Sequence, residues 1–213
     1  MTILFSDDFE SGDSTAWDGT QGTPTIQTAI VHHGVYASQY QAQNTGDAQY
    51  QYQATGNTAQ YLRYRYYFKD TLPSNAAWRL GGLSASLGTH YRMAWVVYNF
   101  STSKFGVAYN NSANVYSWET GTTPLQINNW YNIQLYFDPV GKTATLWVND
   151  TQKVTVTDEA WARTLAYIIM GIPYVDTTNE AAVRTVIVDC VVSSDAYITS
   201  EMQLFTLINQ MNY

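Results

Sequence analysis

The sequence is poor in cysteine, charge and proline: one Cys, five Pro and 13% charged residues in 213. A single cysteine excludes an internal disulfide framework. Cys190 lies in the apolar run from Val186 to Val192, where it reads as a small core residue rather than a reactive thiol. Ten Lys and Arg against seventeen Asp and Glu leave a formal charge of −7, without the excess positive field that holds nucleic acid or an anionic membrane. No stretch approaches the ~20 apolar residues of a membrane span. The first ten residues also lack a basic n-region followed by an apolar run, so a secretion signal would lie outside this sequence.

What is abundant is Thr, Asn, Gln, Ser and aromatic residues, with eighteen Tyr and seven Trp, a mixture that suits strands and polar turns. Strand-like runs recur at Gln60 to Lys69, Tyr91 to Asn99, Lys104 to Tyr109, Trp130 to Phe137, Thr143 to Asn149, Lys153 to Thr157, Leu165 to Ile172 and Arg184 to Val192. Turn signals such as Leu72-Pro-Ser-Asn, Asp138-Pro-Val-Gly and Asn149-Asp separate them. No linker, charge block or repeat divides the chain, so one domain over residues 1–197 is expected.

Alternation assigns faces. It sends Leu62, Tyr64, Tyr66 and Phe68 inward and Tyr61, Arg63, Arg65 and Tyr67 outward. In the same way it buries Tyr131, Ile133, Leu135 and Phe137, and then Ala144, Leu146 and Val148, leaving Trp130, Asn132, Gln134, Tyr136 and Trp147 outside. Faces of this kind predict an all-β, two-sheet antiparallel β-sandwich of about a dozen strands with little helix, and a closed barrel is the alternative with the same periodicity. Residues 198–213 change pattern: Leu204, Leu207, Ile208 and Met211 recur at helical spacing, as a short C-terminal helix or a tail.

Three segments carry a resemblance. The opening, Phe5-Ser-Asp-Asp-Phe-Glu-Ser-Gly-Asp with Trp17 and then Val31-His-His-Gly-Val-Tyr-Ala, resembles calcium-containing β-jelly-roll carbohydrate-binding modules. Asn129-Trp-Tyr-Asn-Ile-Gln-Leu-Tyr-Phe and Ala144-Thr-Leu-Trp-Val-Asn-Asp resemble paired strands of laminin-G-like and concanavalin A-like lectin sandwiches, and Val186-Ile-Val-Asp-Cys-Val-Val resembles their last strand. The superfamily spans binding modules, lectins, lyases, glucanases and adhesion domains, so the resemblance implies a jelly roll and not one activity.

The resemblance implies a structural calcium shared by Glu10 and Asp189, with Asp13 as a further ligand and carbonyls near Gly12 and Gly34 completing the shell. Calcium takes six to eight oxygen ligands, so separated carboxylates beside a glycine-containing loop suit its chemistry. A sugar ring offers apolar C–H faces to aromatic side chains and hydroxyls to amides and guanidinium groups. The candidate carbohydrate-binding residues are Trp78, Trp118, Trp147, Tyr67 and Tyr98, with Arg63, Arg65 and Arg92 as cations able to fork onto an acidic sugar. Alternation puts Trp147 outside; placing Trp78 and Trp118 on groove walls comes from the resemblance.

No strand carries the Glu-x-Asp or Asp-x-x-Glu spacing of a sandwich glycosidase. A lyase needs a base and a cation, and His90, Arg92 and Tyr98 share parity on one run. The lyase strand motifs Arg-x-Glu-x-Arg and Gln-Ile-His are nevertheless absent. The expectation is a non-catalytic polysaccharide-binding module, extracellular or at a cell surface, joined to other domains of a parent chain. A polysaccharide lyase and a structural or adhesive surface domain are the alternatives.

Overall fold

The computed structural model describes residues 1–42, 48–69, 72, 77–87, 92–109, 115–157, 164–176 and 183–198. The predicted C-terminal helix or tail beyond residue 198 lies outside this set.

Sixteen strands and no helix make up the described chain. In order they are β1 (Ile3–Asp7), β2 (Gly19–Gln21), β3 (Thr25–Gln27), β4 (Ala37–Ala42), β5 (Gln49–Ala54), β6 (Gln60–Phe68), β7 (Ala77–Ser84), β8 (Arg92–Asn99), β9 (Lys104–Tyr109), β10 (Val115–Trp118), β11 (Trp130–Asp138), β12 (Thr143–Val148), β13 (Thr151–Thr157), β14 (Tyr167–Ile172), β15 (Tyr174–Asp176) and β16 (Arg184–Ser194). The first sheet runs β13-β12-β11-β6-β16-β4-β3, with β1 on β16; the second runs β10-β9-β8-β7-β14-β5-β2, with β15 on β7. All pairings are antiparallel, as in the predicted sandwich.

The core between the sheets takes the residues that alternation sent inward: Leu62, Tyr64, Tyr66 and Phe68 of β6, Ile133, Leu135 and Phe137 of β11, and Ala144, Leu146 and Val148 of β12. The second sheet answers with Trp78, Leu80 and Leu83 of β7, Ala94, Val96 and Tyr98 of β8, and Ile168 and Met170 of β14. Core tyrosines need acceptors in so dry a place. Tyr64 donates to the Leu80 carbonyl and Tyr66 to that of Gly171, at 2.9 and 3.2 Å, so these hydroxyls also pin one sheet to the other.

Two bulges reset the alternation. In β7 the register slips between Arg79 and Gly82, which puts both Leu80 and Leu83 inside although they are three apart. Gly82 has φ +148, and a Cβ there would meet the Ala94 carbonyl oxygen at 2.5 Å, so the slip requires glycine. In β16 the register slips between Asp189 and Val192, with Cys190 at φ 53. Val188 and Val191 thereby both face the core, while buried Cys190 joins Val192 and Ile198 on the opposite face. Burial pushes the Cys190 thiol far above its ordinary pKa, so it is an inert apolar group, as its position in the sequence predicts.

Candidate functional site

The acidic opening of the chain is a tie between the two ends of the fold. Glu10 accepts from the backbone N–H of Val35 at 2.9 Å and Tyr36 at 2.9 Å. Asp189, fully buried on β16, accepts from the N–H groups of His32 and His33 at 2.8 and 3.0 Å through one oxygen, and from Cys190 N at 2.7 Å through the other. The two carboxylates predicted to share an ion thus converge on one loop, residues 32–36, from opposite ends of the chain. Gly34, at φ +74, is required there, because a Cβ would fall inside the Glu10 carboxylate.

Asp13 is not part of this tie: exposed, it accepts from Ser11, Thr15 N and the Thr15 hydroxyl, which hold its pKa below the usual carboxylate range. Gly12, at φ 75, closes the adjoining turn by donating to the Phe9 carbonyl at 2.9 Å. Among the described residues no three His, Cys, Asp or Glu side chains are grouped to hold a metal. An ion between Glu10 and Asp189 would draw on lone pairs left over by the amides and on backbone carbonyls. The residues present supply the tie by hydrogen bonding.

The outward face of the first sheet is largely roofed, which corrects the expected exposure of its arginines. Arg63 is 1% and Arg65 7% exposed. The Arg63 guanidinium donates to the Ile198 carbonyl at 2.5 Å and to Gln134 Oε1 at 3.3 Å, and pairs with Asp150 at 3.3 Å. Burial lowers the pKa of both guanidinium groups, and for Arg65 the neighbouring Arg63 charge adds to it. Tyr67 is buried against Trp130, rings 5.1 Å apart, and donates to Asn128 Oδ1. Together with Ala37 and Ile187 it seats Ile30 and Val31 of the loop before β4. Trp147 is half-buried on this face beside Tyr61 and under Tyr197, at 6.3 and 5.4 Å. Alternation gave the directions correctly; the chain itself then covers these side chains, from residues 30–36 at one end and 195–198 at the other.

Two aromatic candidates lie on the wrong side of the second sheet for a ligand. Trp78 is 0% exposed and packs edge-on against Phe100 in the core. Tyr98 is 1% exposed; its hydroxyl donates to the Thr123 carbonyl and accepts from Leu125 N. That placement removes Tyr98 as an accessible base. His90 and the Arg92 side chain lie outside the described residues.

Because Trp78 and Tyr98 point in, their strand neighbours point out, and the outward face of the second sheet becomes aromatic. Tyr50 and Tyr52 come from β5, Trp95 from β8, Tyr116 and Trp118 from β10, Tyr167 from β14 and Tyr174 from β15, around Val97, Ala108 and Ile169. Tyr116 and Trp118 stack at 5.3 Å with ring planes 19° apart. The Trp118 ring lies over Gly106, where an added Cβ would sit 2.6 Å from it. Arg79, 1% exposed, is wedged among these rings: its guanidinium carbon is 3.8 Å from the Tyr174 centroid and 5.2 Å from that of Trp95. Such cation–π contacts fix the rings rather than offer a charge to solvent. Of the predicted residues with described side chains only Trp118 belongs to this face; Trp95 lies on β8, whose faces the sequence leaves unassigned, and the others lie on β5, β10, β14 and β15.

No protein-family model matches the chain, and no curated protein matches it. Among solved structures, a cellulose-induced protein, Cip1, superposes with a TM-score of 0.68 at 16% identity, over 92% of this chain and 99% of that one. A carbohydrate-binding module from Bacillus subtilis, CBM66, gives 0.52 at 12% identity, over 83% and 94%. The binding domain of a botulinum neurotoxin DC in complex with SialylT gives 0.61 at 8% identity; the match covers 99% of this chain and 52% of that one. At these identities the likeness is one of fold: the chain is a two-sheet antiparallel sandwich that shares its architecture with these proteins.

Proposed function

We propose that the protein is a non-catalytic polysaccharide-binding module that holds its ligand on the outward face of the second sheet. One observation carries the reading: seven aromatic side chains from five strands gather on the sheet face turned away from the inter-sheet core, with Tyr50 and Trp95 buried among them and the other five rings half-buried. A sheet face normally carries its large apolar groups on the core side. A second aromatic layer needs a different cause, and stacking on the apolar faces of sugar rings supplies one. The shared fold with CBM66 supports the same reading.

An extracellular or cell-surface setting, within a longer parent chain, belongs to this proposal because that is where such polymers are met. The test is calorimetric titration against a panel of soluble polysaccharides. Tyr116→Ala and Trp118→Ala should weaken binding while leaving the melting temperature nearly unchanged, since both rings are only partly buried. Binding that survives both changes would place the ligand elsewhere.

A further inference from the structure

The outward face of the first sheet carries a second cluster of rings, separate from the ligand face proposed above. Tyr61 of β6 and Tyr136 of β11 are register partners, with centroids 4.6 Å apart and ring planes at 33°. Trp147 of β12 lies 6.3 Å from Tyr61, and Tyr197 closes over Tyr61 and Trp147 at 5.7 and 5.4 Å. All four rings are half-buried. The patch spans β6, β11 and β12, two strand steps or about 10 Å, which is the width of one α-helix. Polar groups bound it on the β13 side, where Thr143 pairs with Thr157 and Thr145 with Thr155 through their hydroxyls. Beside it Arg63 Nε and Gln134 Nε2 are buried donors with no acceptor among the described residues.

The described part of the chain ends at this patch. Ile198 is fully buried with Cys190 and Val192, and its carbonyl accepts from Arg63 Nη1. In the segment 199–213 that follows, Ser200 and Gln203 have the spacing of a capping box, and Leu204, Leu207, Ile208 and Met211 come after them at helical spacing. We infer that this segment seats its apolar stripe on Tyr61, Tyr136 and Trp147 as a short amphipathic helix, completing the roof that residues 195–198 begin. A helix so short is marginal by itself and holds where its stripe is buried. Tethering favours this occupant over a second copy or a separate partner: a segment joined to the patch by a few residues meets it at about millimolar effective concentration. Charge agrees. Glu201 is the only charged side chain in the segment, three residues beyond the carbonyl that Arg63 holds, where a carboxylate suits both a helix N-terminus and a neighbouring guanidinium.

The experiment is amide hydrogen exchange and hydroxyl-radical footprinting of the full chain, read by mass spectrometry, with sedimentation velocity at the same concentrations. Amides 204–211 should exchange at least about tenfold more slowly than in a synthetic peptide of residues 199–213. Leu207→Asp combined with Ile208→Asp should abolish that protection and raise the oxidation of Tyr61, Tyr136 and Trp147 about twofold, with Tyr116 and Trp118 oxidised as in wild type. Trp147→Ala should free the same amides from the opposite side of the contact. Amides 204–211 that exchange as fast as in the peptide would overturn the inference, as would oxidation of the three rings left unchanged by the double substitution. Protection that fades on dilution, in step with a dimer in sedimentation, would overturn it in favour of a second copy on the patch.

Discussion

Parity decides what each tryptophan does. Trp78 faces the core, Trp147 is caught between Tyr61 and Tyr197, and Trp118 lies on the aromatic face. Trp78→Ala should therefore cost ~3–5 kcal/mol in a urea titration, as core Trp truncations do. Trp118→Ala should cost well under half of that; equal losses would mean that the second-sheet aromatics are core as well. Trp147 was correctly read as outward because β12 alternates cleanly between Thr and apolar residues. Trp78 was not legible: Trp78-Arg79-Leu80 is followed by Gly81-Gly82, and a bulge at the glycine pair breaks the alternation that would have fixed its direction.

At the scale of elements, the loop over residues 32–36 joins β16 and the first segment through amides and carboxylates. Gly34→Ala puts a Cβ into Glu10 and asks for a left-handed backbone, a strain of ~1–3 kcal/mol. A melting temperature lower by several degrees is expected, and an unchanged one would show that the loop is not held as described. Glu10→Gln should lower it too, because a neutral amide is the weaker acceptor for the Val35 and Tyr36 N–H groups. We propose that the calcium implied by the resemblance sits between Glu10 and Asp189, and chelation separates it from this tie: a fall in wild-type melting temperature with EDTA, absent in Glu10→Gln, would support an ion, and an unchanged wild type would leave the hydrogen bonds alone.

The convergence of Glu10, Gly34 and Asp189 on one loop was readable from resemblance, whereas its donors are backbone N–H groups that no sequence displays. Among strands, those with apolar-in alternation were found within a residue or two. The β5 strand, Gln49–Ala54, was missed because its pattern is inverted. Its Gln51 is in the core, where it accepts from Ser38 and Tyr40, and its tyrosines face outward.

Acid acts on the whole molecule through groups of opposite sign, His32 and Asp7 among them. His32 is held down to about 4 by burial and by the Arg65 charge. From pH 6.5 to 4 the unfolded chain therefore takes a proton there that the folded chain refuses, and acidification destabilises. Asp7 is raised to about 6 by burial, despite bonds from Phe9 N and the Trp17 indole. Between pH 6 and 4 the folded chain keeps a proton that the unfolded chain has released, and the same acidification stabilises. Urea midpoints at pH 7 and pH 4.5 should show His32→Asn gaining stability on acidification relative to wild type, and Asp7→Asn losing it. Parallel pH curves for all three would contradict both assignments.

The two faces of the sandwich give the most direct test of where the molecule meets its ligand. The first sheet's outward face is largely roofed by its own chain, and the second sheet's outward face carries the half-buried rings of Tyr52, Tyr116, Trp118, Tyr167 and Tyr174. Affinity for the best polysaccharide of the panel should be measured by calorimetry for Trp118→Ala and Trp147→Ala beside wild type, each with its melting curve. Trp118→Ala should lose about tenfold or more in affinity at an essentially wild-type melting temperature, while Trp147→Ala keeps its affinity. Loss of binding in Trp147→Ala with Trp118→Ala unaffected would put the ligand on the other sheet and contradict the account.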